Sequence, residues 1–272
     1  MKEIPEHIKW LVDTGERISS VDGKTVAIWE FQYIKDEKTL SAWARHFRNH
    51  YCLDEQIDDL CNGTGYSRAE YLTKLKFPDE KNPPGPSIRA GDFGEILVAD
   101  YVEYILDFWV PRTRYIDKTI RNESMKGADI VGFRFARDGE YSSHDVLTIF
   151  EVKTQFSGNV AAPRLQDAVN GSIKDRLRKG ETLNAMKQRF LDINDNSAKK
   201  RVERFQSEED NPYHEISGAA ALFSNQLFDT EIIRETSSAN HPNGPNLILL
   251  VIRGDCMMQL VSELYKRAAD EA

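Results

Sequence analysis

Cysteine is scarce in this 272-residue chain, which carries only Cys52, Cys61 and Cys256. So small and odd a set excludes a disulfide framework and suggests reduced thiols. The spacing of Cys52 and Cys61 matches no usual zinc pair. Long apolar runs are also missing: none approaches the roughly 20 residues that cross a bilayer. The opening Met1-Lys2-Glu3-Ile4-Pro5-Glu6 has no apolar core, so it does not read as a signal peptide. A cytoplasmic protein is the expectation. There is no internal repeat and no long low-complexity tract. No Gly-x-x-x-x-Gly-Lys-Ser/Thr loop occurs, which excludes a P-loop ATPase, and no Ser-His-Asp signature is visible.

Positive charge is short overall. The formal charge is −8, an unpromising balance for a nucleic-acid binder. Its distribution qualifies that. Residues 164–204 hold eleven Lys or Arg against six acids, a net +5, which leaves −13 on the remainder. This segment reads equally as a track for a phosphate backbone or as a solvated helical surface. The composition, 40% hydrophobic and 29% charged, fits a globular fold. The length fits one large domain or one domain with an appendage.

The clearest break is Phe77-Pro78-Asp79-Glu80-Lys81-Asn82-Pro83-Pro84-Gly85-Pro86, where four prolines and a glycine interrupt any helix or central strand. The expected organisation is an N-terminal accessory or docking region (1–76), a linker or strap (77–87) and a main domain (88–272). Thr25–Tyr33 alternates and reads as a strand. Leu40–Tyr51 has helical apolar spacing, and Leu53–Leu60 and Arg68–Leu75 suit shorter helices. Beyond the break the pattern predicts a helix over Ile88–Leu106 and strands over Phe108–Tyr115, Asp129–Phe135 and Val146–Lys153. A turn is expected at Arg137-Asp138-Gly139. A helix then runs from Pro163 to about Arg178. Within the uncertain stretch 181–240, Glu181–Asp192, Ala198–Phe205 and Ser217–Phe228 have helical content. Asn246–Ile252 suits a strand buried on both faces, and Asp255–Ala269 a closing helix.

Chemistry concentrates at two places. Asp129 opens an apolar, β-branched run, and Glu151-Val152-Lys153 closes the next. Side chains alternate along a strand, so Glu151 and Lys153 share a face. If the two runs pair, two carboxylates and an ammonium converge at one sheet edge. Carboxylates hold a hard divalent cation, Mg²⁺ or Mn²⁺, and an adjacent ammonium orients water and neutralises developing phosphate charge. The bland alternatives are a polar strand end for Asp129 and a surface pair for Glu151 and Lys153. The apolar surroundings of that strand favour function. In Gly91-Asp92-Phe93-Gly94-Glu95, Asp92 suits a helix cap, and Glu95 is either a third acid of the site or a favourable acid near a helix N-terminus. Gln155, Gln166, Arg164, Lys174 and Arg178 are candidates for contact with phosphate, or ordinary surface groups. His46 and His50 stand one helical turn apart but lack a third ligand nearby, so they read as packing residues.

The arrangement resembles the PD-(D/E)xK nuclease superfamily. The resemblance implies a restriction-endonuclease-like α/β fold: an αβββαβ core with a mixed sheet, here with an N-terminal accessory region and a helical insertion at about 181–240. Glu95, Asp129, Glu151 and Lys153 take the catalytic positions; Ala128 stands where the nominal proline would be. More narrowly, Gly-Asp-Phe-Gly-Glu at 91–95, Lys-Gly-Ala-Asp at 126–129, Phe-Glu-Val-Lys-Thr at 150–154 and Leu-Gln-Asp-Ala-Val-Asn at 165–170 resemble the nuclease subunits of the Hachiman anti-phage defence system. That resemblance implies a DNA-cutting effector held by a partner superfamily 2 helicase in the bacterial cytoplasm, with metal on Asp129, Glu151 and Glu95. A restriction or repair endonuclease and an idle nuclease fold serving as a DNA-binding scaffold are the rival readings.

Overall fold

The computed structural model describes residues 3–116, 118–137 and 139–272; Met1, Lys2, Asp117 and Asp138 lie outside the described residues, and with Asp138 the middle of the expected 137–139 turn. A six-stranded mixed sheet organises the molecule in the order β1-β2-β6-β5-β4-β3. Its strands are β1 (Leu11–Ser19), β2 (Thr25–Phe31), β3 (Ile130–Arg134), β4 (Val146–Gln155), β5 (His214–Ser224) and β6 (Leu247–Gly254). The inner pairs β2–β6, β6–β5 and β5–β4 are parallel; the outer pairs β1–β2 and β4–β3 are antiparallel.

Helices cover both faces, as parallel strands require; the short ones are α2 (Ile57–Cys61), α3 (Arg68–Tyr71) and α8 (Thr230–Arg234). On one face α1 (Glu37–Asn49), α4 (Gly85–Asp100) and α9 (Met257–Asp270) press Trp43, Phe47, Phe93, Leu97 and Leu264 onto Phe150, Val152, Leu222 and Ile252. On the other, α5 (Arg164–Leu177) sets Leu165, Ala168 and Val169 against Ala219, Ala221 and Val251. Beside α5, α6 (Lys179–Asp192) and α7 (Asn196–Glu203) pack Leu183, Phe190 and Val202 on Val131, Phe133, Leu147 and Ile149. Period-two alternation along β4 therefore sends Phe150 and Val152 towards α4, and Ile149 towards α6.

Four expectations need correction. Phe108–Tyr115 is no strand. It makes a single bridge, Trp109 to Phe133, closed by N–H···O bonds of 2.7 and 2.9 Å. Pro111, two residues on, has no N–H to continue the ladder. Ser217–Phe228 is not helical; most of it is β5. Its Gly218 and Ala219-Ala220-Ala221 keep the strand thin between two helical layers, and a Cβ at Gly218 would lie 2.2 Å from the Phe150 ring. Gly218→Val is thus expected to destabilise by about 3 kcal/mol or more through overpacking, a drop of roughly 5–10 °C in thermal midpoint. Gly91→Ala, where a Cβ meets open space, should leave the midpoint at or above wild type.

The third correction concerns α4. It starts at Gly85, inside the proline-rich stretch, with Pro86 in its first turn. Asp92 is therefore mid-helix and caps nothing, and Glu95 is far from the N-terminus. The rest of the stretch is a strap: Phe77 is fully buried and the Pro78 carbonyl accepts from Arg89 Nε at 2.8 Å. Fourth, residues 11–31 supply two strands of the main sheet, and Trp10, Trp43 and Phe47 belong to its largest core. The expected boundary near 76 therefore runs through one continuous core.

Candidate active site

β4 outruns β3. Ile130 pairs with Phe150, and no residue of β3 remains to meet the rest of β4. The Val152 N–H, exposed by that shortfall, donates instead to Asp129 Oδ2 at 2.9 Å. Asp129 is thereby fixed at the mouth of β3, next to the two residues flanking Val152. Glu151 and Lys153 share a face of β4, and the Lys153 ammonium donates to Glu151 Oε1.

α5 closes the site from above. Gly171 lies directly over Glu151; a Cβ there would come within 2.5 Å of Oε1. One turn on, Asp175 meets Glu151 side chain to side chain, and its Oδ2 is buried with no donor. As two carboxylates they repel; a shared proton or a cation joins them.

Glu95 reaches the site from α4 through Arg114. The Arg114 guanidinium spans both acids, with Nε 2.7 Å from Glu95 Oε2 and Nη2 2.8 Å from Asp129 Oδ1. Its Nη1 also donates to the Ala128 carbonyl at 2.7 Å, and Tyr115 Oη–H donates to Glu95. Asp92, one turn before Glu95, is buried and accepts from Tyr51 Oη–H at 2.8 Å and Lys118 Nζ at 2.7 Å.

Burial raises every carboxyl of this group. It pushes Asp129 up to about 6 against the opposing pull of Arg114. Glu151 rises to about 7, from burial and then Asp175, with Lys153 opposing. Asp175 rises to about 6, again from burial. Of that pair Glu151 keeps the proton longer. Glu95 is also raised by burial. Burial pulls Lys153 down, but Glu151, Asp129 and Glu95 together hold it above its ordinary value. Acids shifted towards neutrality in one cleft make it a candidate functional centre.

The cleft holds about 700 Å³. Glu95, Asp129, Glu151 and Asp175 line it with Lys153, and Lys126, Arg164, Lys174 and Arg178 also line it, the first, third and fourth of them exposed. Gln166 is not among the lining residues; its side chain is tied to Ser237, accepting from the backbone N–H at 2.8 Å. Gln155 closes the 156–162 loop through Val160 and Ala162. Asp129, Glu151 and Asp175 offer hard oxygen donors, one of them orphaned and buried, and such a set suits Mg²⁺ or Mn²⁺. Arg114, Tyr115 and Asp175 escaped the sequence reading, and Lys126 entered it only as part of the 126–129 motif. Only Asp175 left a signal there: an acid one helical turn after a glycine.

Comparison with curated proteins finds no match. The HamA family model matches residues 6–268. That span takes in the β1–β2 hairpin, the acids around Lys153 and nearly all of α9, so the chain as a whole belongs to the HamA family and with it to Hachiman anti-phage defence.

Proposed function

We propose that this chain is a divalent-metal-dependent DNA endonuclease, the effector of its Hachiman system, under the control of a partner superfamily 2 helicase. The observation that carries the reading is the meeting of Asp129, Glu151, Asp175 and Lys153 in one cleft lined also by Lys126, Lys174 and Arg178. Acids alone would repel a phosphodiester. Acids around a cation, rimmed by further cations, would hold one.

Mg²⁺ or Mn²⁺ on Asp129 and Glu151, with Glu95 behind them, would supply positive charge to the scissile phosphate and to the attacking water. The chain's own groups do the rest. The Val152 N–H and Arg114 fix the two oxygens of Asp129. Lys153, held above its ordinary value, stays charged, and its ammonium orients the water or donates to a phosphate oxygen. The Glu151 carboxyl, raised to about 7, must be free of its proton to serve as a ligand. Lys126, Lys174 and Arg178 meet phosphates on either side of the cut. Such contacts read no base edges, which fits cutting without strict sequence choice. Residues 1–76, with exposed Leu60, Tyr66 and Leu75, supply the surface for the helicase.

The test is to incubate the chain, alone and with the helicase of its system, with linear, circular and single-stranded DNA plus Mg²⁺ or Mn²⁺. Divalent-dependent smearing is expected, and Lys153→Ala should slow it by about 10²–10³-fold. No cleavage under any of these conditions, or wild-type rates from Lys153→Ala, overturns the reading. Discrete fragments would point to a restriction-type enzyme instead.

A further inference from the structure

Two of the chain's six histidines meet one carboxylate, and a third stands beside them, away from the acids around Lys153. His7 lies on the 3-10 helix Glu6–Trp10, His46 and His50 on α1, and Asp100 at the end of α4. His7 Nε2 is 3.0 Å from Asp100 Oδ2, and His46 Nε2 is 3.0 Å from Oδ1. His50 Nε2 stands 3.5 Å from His46 Nε2. The ligand atoms of His7, His46 and Asp100 all lie within 4.8 Å of one another. Ligands about 2.0–2.1 Å from a tetrahedral zinc ion sit about 3.3 Å apart; the 3.0 and 3.5 Å separations are near that, and the widest, up to 4.8 Å, requires the side chains to close on the ion.

A buried carboxylate needs donors, and Arg112 already supplies one, Nη2 to Asp100 Oδ1 at 2.7 Å. Charge balance alone does not call for two histidines on the same carboxylate and a third beside them. Arg112 is held from behind by Glu103, at 2.9 Å from Nε and 2.6 Å from Nη2, so its charge is matched. On Asp100 it touches the Oδ1 side and leaves Oδ2 facing His7, and its Nη1 stands 3.4 Å from His50 Nε2, a contact that His50 must give up to ligate an ion. His7 and His50 are both buried. His7 is further locked by stacking on Trp43, centroids 4.8 Å apart. His46 is a quarter exposed and opens the cluster to solvent.

We propose that His7, His46 and Asp100, with His50 as fourth ligand, bind a zinc-class transition-metal ion. Imidazole nitrogens select zinc, cobalt or nickel over magnesium, so this site would not compete for the cation of the nuclease centre. Its ligands come from segments far apart in sequence, and the ion would fasten the 3-10 helix Glu6–Trp10 to α1 and α4. The proposal does not depend on nuclease activity.

The full chain, exposed to Zn²⁺ and desalted, should retain close to one zinc per molecule by elemental analysis. His46→Ala should retain at least fivefold less. His144→Ala, at the other histidine pair (rings of His144 and His214 6.2 Å apart), should match wild type. Co²⁺-loaded wild type should show the intense visible absorption of a tetrahedral site, a readout that needs no variant to fold. A wild-type chain that keeps no zinc, a weak octahedral cobalt spectrum, or zinc lost with His144→Ala but kept by His46→Ala overturns the proposal.

Discussion

Glu151→Gln is expected to abolish DNA cleavage and to make the metal-free protein more stable at pH 8. The carboxyl of Glu151 sits at about 7 in the fold against an ordinary 4.5, raised by burial and by Asp175. A raised value in the folded state favours folding below the ordinary value, and that contribution is lost as pH climbs to about 7. Above pH 7 the metal-free protein therefore carries a charge its surroundings disfavour. Glutamine removes the charge and keeps an oxygen for Lys153. The gain should be about 1–2 kcal/mol at pH 8, roughly 4 °C in midpoint, and should vanish near pH 5. Mn²⁺ at pH 8 should then raise the wild-type midpoint more than the variant's. Cleavage should fall by about 10³-fold, some 4 kcal/mol of barrier. Equal midpoints at pH 8, with or without Mn²⁺, would show that Glu151 is neither strained nor a metal ligand.

Arg114→Ala should cost about 3–5 kcal/mol at pH 8, the scale for removing one partner of a buried ion pair. It strands Glu95 and Asp129 together, both buried, with no cation between them. Protonation relieves that state. Asp129 already sits at about 6 with Arg114 pulling it down, so without the arginine it takes a proton at still higher pH. The loss should therefore shrink towards pH 5, whereas a packing defect would cost the same at both. Arg114→Lys should recover only part, since one ammonium cannot reach Glu95, Asp129 and the Ala128 carbonyl in the arginine's fork. Urea titrations at both pH values decide it. A loss that is the same at pH 5 and pH 8 means the guanidinium acts through packing alone.

The parts legible in the sequence were those whose signal is local. Asp129 and Glu151-x-Lys153 stand out because their neighbours are apolar, and burial in this sheet is what makes those neighbours apolar. β6 shows itself by a near-continuous apolar run, and α1 by its spacing. β5 hid because its three alanines favour helix when taken alone; what makes them a strand is the room they leave between Phe150 and the helices on either face. β1 (LVDTGERIS) hid because an exposed edge strand carries little apolar content. Phe108–Tyr115 misled in the other direction: aromatic content suggested a strand that Pro111 prevents. Arg114 acts on residues 19 positions before and 15 after it, and nothing in its own neighbourhood announces that. The third partner of His46 and His50 was likewise out of local view, supplied by Asp100 from α4.

The shortfall of β3 against β4 sets where the gene could grow. The residues that join the two strands turn back at the end of the hairpin away from Asp129, and Arg137, Gly139 and Glu140 are exposed there. A loop lengthened beside Gly139 would leave the pairing of Ile130 with Phe150 untouched. The approach to β3 has no such freedom. Gly127 turns with φ +93°, the left-handed region, and Asp129 follows two residues later. One residue added between Asp129 and Ile130, whose pairing with Phe150 sets the register, would carry the Asp129 carboxylate off the Val152 N–H. Length variation among natural versions of this protein should therefore collect at the far loop and stop short of 127–129.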